Sequence, residues 1–117
     1  MTAADRAHYH RIIDGDGNTW TGSHLISANA PGKSLLNGKY AAHTRGLNTG
    51  SIGISMACMK DAVWSRPRDC AHFPTQAQIA AFIRDVADVS IEYSIPVTRK
   101  TILSHAEVEI TLGVEQA

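Results

Sequence analysis

The chain has 117 residues, 44% of them apolar, with eleven basic and eleven acidic side chains and a formal net charge of zero. Such a length fits one domain with a modest core, and the charge balance argues against a nucleic-acid binder, which carries a basic face and a high pI. No apolar run approaches the roughly 20 residues of a membrane span, and residues 1–7 lack the apolar centre of a secretion signal. Six histidines in so short a chain are a mild excess and point toward metal or acid–base chemistry. Cys58 and Cys70 lack the spacing of a zinc knuckle and read as two unpaired thiols.

Residues 8–13, rich in Tyr and Ile, read as a strand. Asp14-Gly15-Asp16-Gly17 is a turn signal, and Asn18-Thr19-Trp20-Thr21 completes a β-hairpin. Residues 23–42 keep no period and read as a long loop, a kind of segment that is often functional. Ser51 to Cys58 alternates as a strand. Ile52, Ile54 and Met56 share one face; Ser51, Gly53, Ser55 and Ala57 share the other. That small-residue face suits close approach of backbone, a helix or a ligand. A second long loop is expected over 59–73.

The strongest helical signal runs from Gln76 to Tyr93. Thr75 and Gln78 make a T-x-x-Q capping box, and Ile79, Phe82, Ile83, Val86, Val89 and Tyr93 fall on one stripe. Pro96 limits continuation. Ile102-Leu103 then reads as a short buried strand delivering His105 at its end, and the pattern fades into a tail after Val108. The order predicts one mixed α/β domain: a mixed β-sheet with flanking helices, including a single amphipathic helix over about 76–93 lying across one face. There is no repeat, low-complexity segment or linker.

Three separated segments carry the candidate chemistry: His8 to Gly17, His43 to Ser55, and Ile102 to Val108. Each sets a histidine at or near the end of a strand-like run. Catalytic zinc uses three protein ligands and a water whose pKa it lowers. By spacing alone, His8 and His10 share a strand face and could join His105 at a metal. Equally, they read as ordinary strand-edge histidines.

Together, in this order and spacing, the segments resemble the zinc amidases of the phage-lysozyme and peptidoglycan-recognition-protein type, over about residues 5–113. Those enzymes cut peptidoglycan between N-acetylmuramic acid and L-alanine. The resemblance implies one zinc ion, a zinc-activated water, and a muropeptide substrate. It assigns Tyr9 to polarising the scissile carbonyl, and strand alternation then turns His8 and His10 away from the site. It makes His105, in Ser104-His105-Ala106-Glu107-Val108, a zinc ligand, and it implies that Tyr9 and His105 converge on one pocket. It sets His43 and Asn48, in H-x-x-G-x-N-x-x-S-I-G-I, along the substrate groove; Asn48 also reads as a turn former. Thr111 is implied to stabilise developing negative charge.

The departures from the family pattern are specific. Gly113 stands where these amidases carry a cysteine ligand, and Ser55 where some carry a glutamate. The first zinc histidine of the family lies on a strand upstream of the tyrosine segment, so the chain reads as a domain trimmed at both ends. Two functions follow: zinc-dependent hydrolysis, or a non-catalytic module that grips muropeptide after losing zinc ligands. Without a signal peptide the chain is expected to be cytoplasmic as made and to meet the wall after release or export.

Overall fold

The first turn forms where its chemistry dictates. In this computed structural model, which describes residues 2–32, 34–58 and 73–116, Asp14 Oδ1 accepts the backbone N–H groups of Asp16 and Asn18. Its Oδ2 accepts the Trp20 indole N–H at 2.8 Å. These bonds hold the Asp14 carboxyl below its ordinary pKa, the Trp20 bond first. Strand β1 (Arg11–Ile13) therefore turns tightly into β2 (Thr19–Thr21).

β1 is the centre of a three-stranded sheet ordered β2-β1-β3, with β3 spanning Ile54–Met56. The β1–β2 pair is antiparallel, with Ile12 opposite Trp20. The β1–β3 pair is parallel, with Ile12 opposite Ser55. A central strand is covered on both faces, and Ile12 and Ile13 are accordingly 3% and 0% exposed. The chain forms an α/β fold of a small mixed sheet with flanking helices, as the sequence implies.

Among the described residues, three α-helices flank the sheet, and the second is the one packed against its strands. Helix α1 (Ala3–His8) starts on a Thr2–Asp5 capping box. That T-x-x-D signal lies at the very start of the chain and displaces the strand expected from residue 8. Helix α2 (Gln76–Glu92) begins on the expected Thr75–Gln78 box. Gln78 also reaches past the box: its Nε2 donates to the carbonyls of Ile13 and Ala57, at 2.9 and 3.1 Å. One buried amide thus ties the helix N-terminus to the ends of β1 and β3. Thr75 Oγ1 donates to the Gly15 carbonyl at 2.6 Å, and the hairpin tip packs so closely that a Cβ on Gly17 would lie 2.9 Å from the Ala77 oxygen.

The inward face of α2 differs from the expected stripe. Gln78, Ala81, Asp85 and Val89 are buried, whereas Ile79, Ile83 and Tyr93 are 39%, 62% and 45% exposed. Helix and sheet are joined here by polar contacts, which apolar periodicity does not detect. Arg11 on β1 donates to Asp85 Oδ1 at 2.9 Å.

The segment before His105 is not a strand. Ile102 closes a turn onto the Thr98 carbonyl, and His105 opens helix α3 (His105–Leu112). Glu107 explains the difference: its Oε1 accepts the Ser104 N–H at 2.9 Å. S-x-x-E is a helix-start signal, and it outweighs a two-residue apolar run. The helix stops at Gly113, whose φ of +71° suits glycine, with its N–H bonded to Glu109. The loop expected over 59–73 and the state of Cys70 concern residues that, apart from Phe73, lie outside the described ones.

Candidate functional site

Asn29 builds the interior on which the histidines rest. It is 1% exposed, at the end of a short 3-10 turn (Ile26–Asn29). Its Nδ2 donates to the carbonyls of Ala41 and Asn48, both at 2.9 Å. Its Oδ1 accepts the Ala41 N–H at 3.0 Å and meets His10 Nε2 at 3.1 Å. A buried amide with every valence filled fixes the path of the two loop segments that it joins. The sequence gives no sign of this role, since an asparagine inside a loop carries no periodic signal.

His10 is 2% exposed and closed at both nitrogens. The Gly53 N–H can only donate, so Nδ1 accepts from it at 3.0 Å and Nε2 carries the proton toward Asn29. Burial lowers its pKa, against the opposing effect of the Asn29 bond. Beside it lies His43, with ring centroids 5.6 Å apart. The His43 ring covers Gly53 so closely that a Cβ there would lie 2.5 Å from the imidazole. The small-residue face of the Ser51–Cys58 segment is thus explained by a close approach. His43 Nε2 faces the Ser51 carbonyl at 3.4 Å, and Nδ1 meets Thr44 Oγ1 at 3.0 Å. Burial pushes its pKa down to about 4; the Ser51 bond opposes this, and the nearby His10 and His105 add to the lowering.

His105 is arranged differently. It is exposed at the first turn of α3, and its Nε2 meets Gln116 Oε1 at 2.8 Å. The Gln116 amide is oriented by donation from its Nε2 to the Arg45 carbonyl at 2.7 Å. An amide oxygen only accepts, so Nε2 of His105 holds a proton, and in the neutral ring the lone pair is then on Nδ1. This is the outer bond that a metal-ligating histidine commonly makes. The same tail brings Val114 against Gly46, where a Cβ would meet the Val114 side chain at 2.8 Å. The 43–51 loop, the α3 N-terminus and the C-terminal tail therefore meet at one face.

The remaining expected residues fall as follows. Asn48 closes its own turn, with Oδ1 accepting the Thr44 N–H at 2.9 Å. Tyr9 is half-buried at the end of α1, with its N–H on the Asp5 carbonyl. Strand alternation from Tyr9 does not apply, because the strand starts at Arg11. Thr111 is exposed on α3. Six residues of helix place it about 9 Å along the axis from His105 and about 120° around it, so the helix itself does not bring the two together. The His8, His10 and His105 metal arrangement fails: His8 ends a helix, and both His10 nitrogens are engaged. A cleft of about 390 Å³ lies elsewhere, between His10, Arg11, His24 and Tyr93.

Among the described residues, no group of three or more His, Cys, Asp or Glu side chains could hold a metal ion. The position of the expected cysteine is occupied by Gly113, which serves as the helix stop. The described residues do not form a zinc site.

A small mixed sheet with flanking helices carries histidines on the loop before β3 and at the start of α3, and the family whose model this chain matches is one of amidase-type hydrolases that act on peptidoglycan. The chain belongs to the N-acetylmuramoyl-L-alanine amidase family, whose model matches residues 1–115. No curated protein and no solved structure matches it.

Proposed function

We propose that this domain hydrolyses the amide between N-acetylmuramic acid and L-alanine of peptidoglycan, at the face where His105, Gln116 and the 43–51 loop meet. The observation that supports this reading is the state of His105. Of His10, His43 and His105, it alone has a ring nitrogen without a hydrogen-bond partner among the described residues, because Nε2 is taken by Gln116 and Nδ1 is left over. In this reading His43, neutral at physiological pH, shapes the wall of the groove, and Tyr9 is the candidate for stabilising the oxyanion; Thr111, turned about 120° from His105 on α3, is not used. Zinc is the family's expected cofactor, with His105 Nδ1 as one donor. The described residues do not complete its shell. Access to the wall follows release or export from the cytoplasm.

A second reading is a module that holds muropeptide without cutting it. The closed imidazoles of His10 and His43 and the helix-stop role of Gly113 favour it. Incubation with purified cell-wall sacculi separates the two. Hydrolysis releases new L-alanine amino termini, and His105→Ala abolishes the release while leaving the circular dichroism spectrum unchanged. Cosedimentation with sacculi, no new amino termini and no bound zinc by elemental analysis would overturn the hydrolase in favour of the binding module.

A further inference from the structure

Helix α2 carries an apolar ridge that points away from its own sheet. Its buried line runs through Gln78, Ala81, Asp85 and Val89. On the opposite side, Ala80, Ile83, Ala87 and Ile91 fall within about 40° of one line. All four are exposed, Ile83 by 62% and Ile91 by 79%. Their spacing of three and four residues is that of a helix–helix seam, and the two alanines allow close approach of a second helix.

We propose that this ridge is a homodimer interface, with α2 pairing antiparallel to α2 of a second copy across a two-fold axis at Ala87. Charge complementarity selects a second copy as the occupant. Arg84 and Asp88 are both exposed and flank the ridge on the same side, about 60° and 100° round from Ala87. A two-fold axis perpendicular to the helix keeps these flanks on one side of the pair. Arg84 lies about 4.5 Å along the axis from Ala87, and the partner's Asp88 about 1.5 Å from it in the same direction. The offset is about 3 Å, which a long arginine side chain spans. The symmetry makes the contact twice. The same operation sets Ile83 opposite the partner's Ile91, so the apolar residues meet as the charges do.

Light scattering coupled to size exclusion, over a rising concentration series, tests this. The expected mass is about 25 kDa, twice the chain mass of 12.6 kDa. Ile83→Glu is expected to abolish the dimer with an unchanged circular dichroism spectrum, since position 83 is exposed in the monomer. Arg84→Glu is expected to weaken dimerisation roughly tenfold by replacing two attractions with two repulsions. The double variant Arg84→Glu/Asp88→Arg is expected to restore it. A chain that stays at its monomer mass throughout overturns the proposal and leaves the ridge to a different protein. A dimer indifferent to Ile83→Glu, or a double variant no better than Arg84→Glu, overturns it equally.

Discussion

His10 and His105 are the same residue in opposite circumstances. His10 lies under the 3-10 turn with one nitrogen on Asn29 and the other on Gly53. His105 stands at an exposed helix start with one nitrogen tied and the other open. The first arrangement uses an imidazole as a structural crosslink; the second keeps a lone pair available for chemistry. The difference shows that a histidine's meaning is set by what its second nitrogen meets, which no spacing rule in the sequence reports.

The sharpest way to break this contrast is at Asn29. Asn29→Ala removes the partner of the Ala41 backbone, the Asn48 carbonyl and His10 together. Several buried groups lose their bonds at once, so the expected loss is about 3 kcal/mol of unfolding free energy by urea titration. A loss below about 1 kcal/mol, the scale of a single hydrogen bond, would mean that the interior is not organised through this amide. The His105 region, tied by exposed bonds, should keep its local structure at denaturant concentrations where the folded state persists.

Gly53→Ala tests the same interior by adding atoms. The new methyl meets the His43 ring at 2.5–2.7 Å. Because that ring is boxed in by Thr44 and Ser51, the expected cost is about 2 kcal/mol. In the His43→Ala background the clash disappears, so the cost of Gly53→Ala should fall to a few tenths of a kcal/mol. Equal costs in both backgrounds would show that the ring does not lie on Gly53.

Acid sharpens the comparison further. His43 has an unfolded pKa near 6.5 and a folded one of about 4. The unfolded chain therefore takes up the proton first, and the stability present above pH 6.5 is lost as pH falls toward 4. The melting temperature is expected to decline across that window, and less steeply in His43→Gln. His10, also lowered, keeps part of the slope. An NMR titration of the His43 ring with a midpoint near 6.5 would place it in open solvent instead.

Much of the scaffold was legible because local chemistry and tertiary structure agree. The Asp14–Gly17 turn, the Thr75–Gln78 cap and the small face around Gly53 each follow from a local rule that the fold respects. The α3 start failed because two rules competed. Ile102-Leu103 gave an apolar run, but Ser104 and Glu107 gave a cap, and a cap satisfies backbone groups that a two-residue strand leaves open. The inward face of α2 failed for another reason: Gln78 and Asp85 are buried through bonds to partners tens of residues away. At the candidate site, the motif singles out His105 but puts it at the end of a strand, where the structure has a helix start. Asn29 was not legible, because its role exists only once residues 29, 41 and 48 are close in space.

The smallest effect concerns Gln116, and it bears directly on what keeps His105 open. Gln116→Ala removes an exposed bond, so its cost in stability is expected to be about 0.5 kcal/mol. Its effect on the imidazole is expected to be plain. With Gln116 present, Nε2 donates to Oε1 and the ring is held in one tautomer. Without it, both tautomers are populated, as in a free histidine. Long-range nitrogen–proton correlation spectra distinguish the two states through the ring nitrogen shifts. Hydrolysis of sacculi, if it depends on a lone pair at Nδ1, should decline in Gln116→Ala while the fold remains intact. A wild-type His105 already divided between tautomers would show that Gln116 does not hold it, and the distinction between the two histidines would then rest on burial alone.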